Sequence, residues 1–145
     1  MASRRKGRIL AFQALYSWDA SSPRTEISQL VDFPWLEAEK KEKLDEGIAV
    51  FSRLLITGTI ENIKAVDDMI RRHLQNWDFS RLNRVDLAVL RISAYTLMFQ
   101  SDVAPSIVIN EAIGISREFG GQESFRFING VLDGIRRTLE EGHGP

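Results

Sequence analysis

Apolar residues recur at spacings of three and four along nearly the whole chain, the period of a helix that buries one face, while sustained two-residue alternation is absent. The leading segment shows it first. Ile9, Phe12, Leu15, Tyr16 and Trp18 predict a helix from about Ser3 to Asp19, ended by Ser21-Ser22-Pro23. A short helix over about Thr25 to Val31 follows and closes at Phe33-Pro34, because the residue before proline is driven out of the helical region. Then Leu44, Ile48, Phe51, Leu55, Ile63, Val66, Ile70 and Leu74 hold one stripe, which Gly58 interrupts at up to about 1 kcal/mol relative to alanine. One long helix and two shorter ones both satisfy that stripe.

Asn76-Trp77-Asp78-Phe79-Ser80 reads as a turn with capping residues, and Val85 to Phe99 is then apolar nearly all round, which predicts a helix in the middle of a bundle. Ser101 to Pro105 is a loop, with Pro105 suited to a helix start. Ser106 to Phe119 forms the next helix, capped by Gly120-Gly121. The last spans about Glu123 to Glu140, with Phe125, Ile128, Leu132, Ile135 and Leu139 inward and Gly130 and Gly134 placed to let a neighbouring helix approach closely. The fold class is therefore all-α, a helical bundle with short connections.

A chain of 145 residues, 43% hydrophobic and 27% charged, is long enough for one core and too apolar for disorder. It has no cysteine, which excludes disulfides, thiolate chemistry and cysteine-held metals. No apolar run approaches the roughly 20 residues of a membrane helix, and no cleavable leader is expected, so the protein is expected to be cytoplasmic. Catalytic material is scarce. The two histidines are His73 and His143, the helical-bundle metal motif Glu-x-x-His occurs once, as Glu140 to His143, and no Gly-rich phosphate loop is present. Glu111, Asp86 and Asp133 are candidate buried acids, and helix caps and ion pairs explain them more simply. No enzyme activity, metal or cofactor is expected.

Net charge is only −1, but the first eight residues carry +4 through Arg4, Arg5, Lys6 and Arg8, and the rest of the chain −5. Cations at a helix N-terminus oppose the helix dipole. Set beside Gln13 and Tyr16, they suit single-stranded RNA, whose bases are unstacked and whose phosphates need counter-charge; a solvated basic terminus without a partner is the alternative. Four phosphate contacts on a single strand give a salt slope of roughly −3, a modest anchor. A second surface is therefore expected, and the run Glu123-Ser124-Phe125-Arg126-Phe127-Ile128-Asn129 offers one, with Phe127 the more exposed of its two phenylalanines.

Arg4-Arg5-Lys6-Gly7-Arg8 leading into Ala11-Phe12-Gln13-Ala14-Leu15-Tyr16-Ser17-Trp18, followed by Val85-Asp86-Leu87-Ala88-Val89-Leu90-Arg91, closely resembles the bacterial NusB family. So do Ile109-Asn110-Glu111-Ala112, Phe119-Gly120 and Phe127-Ile128-Asn129-Gly130-Val131-Leu132-Asp133, in the same order over nearly the whole chain. The resemblance implies two packed three-helix subdomains, about 1–80 and about 81–141, in one NusB-like domain. It also implies transcription antitermination: boxA RNA of nascent transcripts bound together with NusE, a ribosomal small-subunit protein, within the RNA polymerase antitermination complex, notably on rRNA operons. By position, the RNA side would be Arg4, Arg5, Lys6, Arg8, Gln13, Tyr16, Ser124, Arg126 and Phe127. The NusE side would centre on Arg84, Asp86 and Leu87, with Asp86 as the charged contact. Asn110, Glu111, Asn129 and Asp133 are read as polar groups that satisfy one another between helices. Two other readings stand beside this one: the NusB-like domain of an RNA cytosine methyltransferase, for which no βαβ pattern follows, and a self-associating scaffold, so that a homodimer is a further candidate assembly.

Overall fold

The computed structural model describes residues 2–75 and 78–142. Among them are eight α-helices and no strand: α1 (Ala2–Ala20), α2 (Ile27–Leu30), α3 (Ala38–Glu42), α4 (Glu46–Glu61), α5 (Ile63–Arg72), α6 (Arg84–Phe99), α7 (Pro105–Phe119) and α8 (Ser124–Glu141). A 3-10 turn at Phe79–Arg81 precedes α6. The apolar run predicted for the middle of the bundle lies there: α6 is buried continuously from Asp86 to Ala94 and packs against α1, α4, α5, α7 and α8. Asn83 starts it, its side-chain oxygen accepting from the Asp86 N–H at 2.8 Å.

The long stripe resolves into two helices, and the break is at Asn62 rather than Gly58. The Asn62 side chain donates to the Gly58 carbonyl at 2.8 Å, the local side-chain bond by which asparagine competes with a continuing helix. Gly58 itself is a packing residue: the Tyr95 phenol of α6 occupies the space a Cβ would need. Asp45 caps α4 by accepting from the Ile48 N–H. The charged stretch ahead of it, for which no element was expected, contains α3.

Phe33 leaves the helical region as expected before proline, but into the left-handed region, at φ 51°. Its ring explains the tolerance of that strain. It is buried at 2% exposure, edge-on to Trp35 at 5.9 Å, with Arg53 above it and the Arg53 Nε donating to the Val31 carbonyl at 2.9 Å. Asp78 caps the 3-10 turn through Ser80, while Asn76 and Trp77 lie outside the described residues, as does His143.

Two glycine expectations change. The cap after α7 is not a left-handed glycine: Gly120 is extended, donates to the Ser116 carbonyl, and is needed because a Cβ would stand 2.7 Å from that oxygen. Only Gly134 admits a neighbour, the His73 ring at 2.7 Å from its ideal Cβ, whereas at Gly130 no described residue comes within 4 Å.

Beneath the apolar core sits an ion cluster. Arg91, 3% exposed, grips Asp67 of α5 through Nε and one terminal nitrogen, both at 2.9 Å, and reaches Asp19 of α1 at 3.4 Å. Trp18 and Phe79 lie under its guanidinium. Three helices are thus tied to one buried charge.

Candidate nucleic-acid interface

The basic arm is part of α1, and its cations are seated on other helices. Arg4 and Arg8 lie over the Phe51 ring of α4, at 4.4 and 5.4 Å from its centre, the geometry of cation–π attraction. Gly7 lets that ring come in, since a Cβ there would stand 2.6 Å from it. Arg5 donates from Nε to Glu111 of α7 at 3.2 Å, and Arg8 reaches the same carboxylate oxygen at 3.9 Å. Gly114, one turn further along α7, has the Arg5 guanidinium where its side chain would be. Burial holds the Arg8 guanidinium below its usual pKa, with Glu111 opposing and Arg4 and Arg5 adding to the shift. Lys6 is exposed.

The contacts between α1 and α7 advance together along both helices. Arg5 meets Glu111 and Gly114, Phe12 meets Phe119 at 5.2 Å between ring centres, and Tyr16 shares a surface hollow with Phe119, Gly120 and Gly121. The two helices therefore run parallel, and the arm, Tyr16, the turn after α7 and the start of α8 follow one another in a row. Tyr16 is 41% exposed. Gln13 is already engaged, accepting from the Trp35 indole N–H at 3.0 Å. Ser124 is nearly buried and accepts from the Gly121 N–H, so its role among these residues is to hold the turn. Arg126 is exposed and paired with Glu123 at 3.4 Å. Phe127 is not the projecting ring expected of it: it is half-buried against the core, and Phe125 is half-buried beside Arg117 and Arg126.

The expected protein-partner residues divide by depth. Arg84 is exposed and paired with Asp19 at 3.4 Å. Leu87 and Asp86 are buried, at 6% and 7% exposure. Asp86 accepts from the Asn83 amide at 3.1 Å, and burial pushes its carboxyl above the usual carboxylate range, opposed by Ser124 and Asn83. Asp86 Oδ1 has no hydrogen-bond partner among the described residues.

Of the four polar residues read as mutually satisfying between helices, Glu111 does bridge two, through Arg5 and Arg8. Asp133 instead pairs with Arg136 and Arg137 on its own helix, which hold its carboxyl below the usual range, and Asn110 and Asn129 are exposed. Sequence reasoning missed Phe51 and Gly114 as seats for the arm and the Arg91 cluster. Phe51 read as one more core position, Gly114 carried no signal, and the signal that could have found Arg91 is a charge inside an otherwise apolar helix. Among the described residues no group of His, Asp or Glu is arranged to hold a metal ion, and no helix is long and apolar enough to cross a membrane.

Residues 5–137 match the model of the NusB family. The transcription antitermination protein NusB of Treponema pallidum is 48% identical over 135 residues, covering 93% of each chain. Among solved structures, NusB of T. maritima superimposes with a TM-score of 0.81 at 34% identity, over 92% of this chain and 90% of that one. A structure of the antitermination factors NusB and NusE in complex with dsRNA has a chain that matches with a TM-score of 0.82 at 25% identity, over 95% of this chain and 98% of that one. Agreement in family model, sequence and fold over almost the full length leads to one conclusion: the chain belongs to the NusB family of transcription antitermination proteins.

Proposed function

We propose that the chain binds the boxA segment of nascent RNA on the face running from the start of α1 to the first turns of α8. It does so together with NusE, inside the RNA polymerase antitermination complex in the cytoplasm, notably on rRNA operons. The observation that carries this reading is the parallel run of α1 and α7, which lines up Arg4, Arg5, Lys6 and Arg8 with Tyr16 and then Arg126. The similar NusB structure in complex with NusE and dsRNA supports NusE and RNA as partners, while the single-stranded boxA form is the reading drawn from the arm and the family resemblance. Gln13, Ser124 and Phe127 serve this face through its framework, by way of Trp35, the turn after α7 and the core. Arg84 offers NusE a charge at the surface, and Asp86 and Leu87 hold the start of α6 beneath it. In the same reading the parts about 1–80 and 81–141 act as one domain, because α6 packs against helices of both.

A fluorescence titration of boxA RNA, single-stranded and duplex, with and without NusE, tests the proposal. NusE is expected to tighten RNA binding. Replacing Arg4, Arg5, Lys6 and Arg8 by alanine is expected to weaken it and to flatten a salt slope of roughly −3, which corresponds to about 50-fold between 50 and 200 mM salt. Unchanged affinity in that variant would remove the arm from the mechanism. Among the described residues, Leu54, Ile107, Val50 and Phe99 are the most exposed large apolar side chains and the candidates for a homodimer, and light scattering across concentrations decides whether one forms.

A further inference from the structure

Glu111 is the carboxylate nearest the arm, and it holds the cations that the proposed RNA site would use. Its Oε1 accepts from Arg5 Nε at 3.2 Å and stands 3.9 Å from Arg8. It is 24% exposed, so neither water nor salt screens it fully, and Arg8 is more deeply placed at 12%. The seat is built from both sides. Gly114 leaves room for the Arg5 guanidinium, whose atoms stand where a Cβ would be, so that a side chain there would force it to shift. The Arg5 Nε that donates to the carboxylate is a donor that a phosphate would also use, so the two anions compete for it, and a phosphate beside Arg8 would meet the same negative charge.

We infer that Glu111 is an internal stand-in for an RNA phosphate and sets the strength of sequence-independent binding. This rests on the RNA reading given above. In the free protein Glu111 keeps Arg5 and Arg8 ordered and partly neutralised. A strand that offers phosphates alone must approach a fixed negative charge and share its cations. A strand that also gains base contacts and NusE overcomes the same repulsion with energy that a random strand lacks. Phosphate contacts carry no sequence information, so the carboxylate lowers all affinities by one factor and leaves the weakest complexes unpopulated. Glu111 thus sets the affinity threshold that every strand must pass, without touching the RNA and without changing the ratio between one strand and another.

The test is Glu111→Gln, which keeps the side-chain length and an oxygen for Arg5 but removes the charge. Titration with a boxA RNA and with a scrambled RNA of equal length is expected to show both bound about five- to tenfold more tightly, on the order of one like-charge contact removed near a protein surface. The slope of log affinity against log salt is expected to steepen by about 0.7, one more unneutralised cation facing a single strand. Glu111→Asp retains the charge and is expected to keep both slope and affinity near those of the parent protein. Weaker or unchanged binding by Glu111→Gln, or a gain confined to boxA, overturns the inference. If the four-alanine arm variant also binds as the parent does, the RNA reading itself falls. If that variant loses binding while Glu111→Gln gains none, only the role of Glu111 falls.

Discussion

Replacing Asp67 by asparagine strikes the buried ion cluster at its best-made contact. Arg91 would keep its 3% exposure and lose both 2.9 Å bonds to a charged partner, retaining only Asp19 at 3.4 Å, an acid it shares with Arg24 and Arg84. Leaving a buried charge without its partner costs about 3–5 kcal/mol, far more than the pair itself contributes relative to apolar residues of similar volume. Unfolding entropy for 145 residues is about 0.3 kcal/mol per kelvin, so the midpoint should fall by about 10–16 °C in thermal melts followed by circular dichroism. The double variant Asp67→Leu with Arg91→Met removes both charges and should recover most of that loss. A fall under about 3 °C for Asp67→Asn would refute the reasoning, and so would a double variant no more stable than the single one, because the cost would then not come from an uncompensated charge.

Two other perturbations follow from the helix contacts. Burial, and then Arg72 and Arg137, lower the His73 pKa from its ordinary 6.5, so the unfolded chain takes up a proton more readily than the folded one. Stability is then complete above pH 6.5 and lost as pH falls below it, and urea midpoints between about pH 5 and pH 7 should rise less steeply in His73→Gln than in the parent; equal slopes would remove His73 from the account. Gly58→Ala places a methyl group on the Tyr95 ring and should destabilise by about 1–3 kcal/mol in urea unfolding, with partial recovery when Tyr95 is also replaced by leucine. A stabilised Gly58→Ala would mean that helix propensity outweighs the clash.

How much of this was legible beforehand depends on whether the determining force is local. The α6 run and the proline start of α7 follow from periodicity and backbone preference and appear within a residue of their expected bounds, whereas the stripe from Leu44 to Leu74 left its division into α4 and α5 open. Gly58 misled because a glycine inside a helical pattern reads as a breaker, while its cause is a tyrosine 37 positions away on α6. For the site, residue type was informative and burial was not. Charge clustering singled out Arg4, Arg5, Lys6 and Arg8, yet nothing in the local pattern says that Asp86 and Leu87 face inward or that Gln13 is already holding Trp35. Those facts are settled by packing across α1, α4, α6 and the segment after α2, which no local window samples.

Four cations at the start of a helix are unfavourable for α1 alone, because the exposed N–H groups there already carry positive partial charge. Tertiary contacts reverse that local preference. The face of Phe51 takes Arg4 and Arg8, and the Glu111 carboxylate takes Arg5 and Arg8. Each contact comes from a different helix, so the first turns of α1 are ordered by the finished bundle and not by their own propensity. An arm ordered this way presents its charges before a ligand arrives and loses less side-chain freedom on binding than a disordered basic tail of equal charge. The seats that stabilise the helix also occupy the cations, and a ligand must therefore supply more than phosphate to use them.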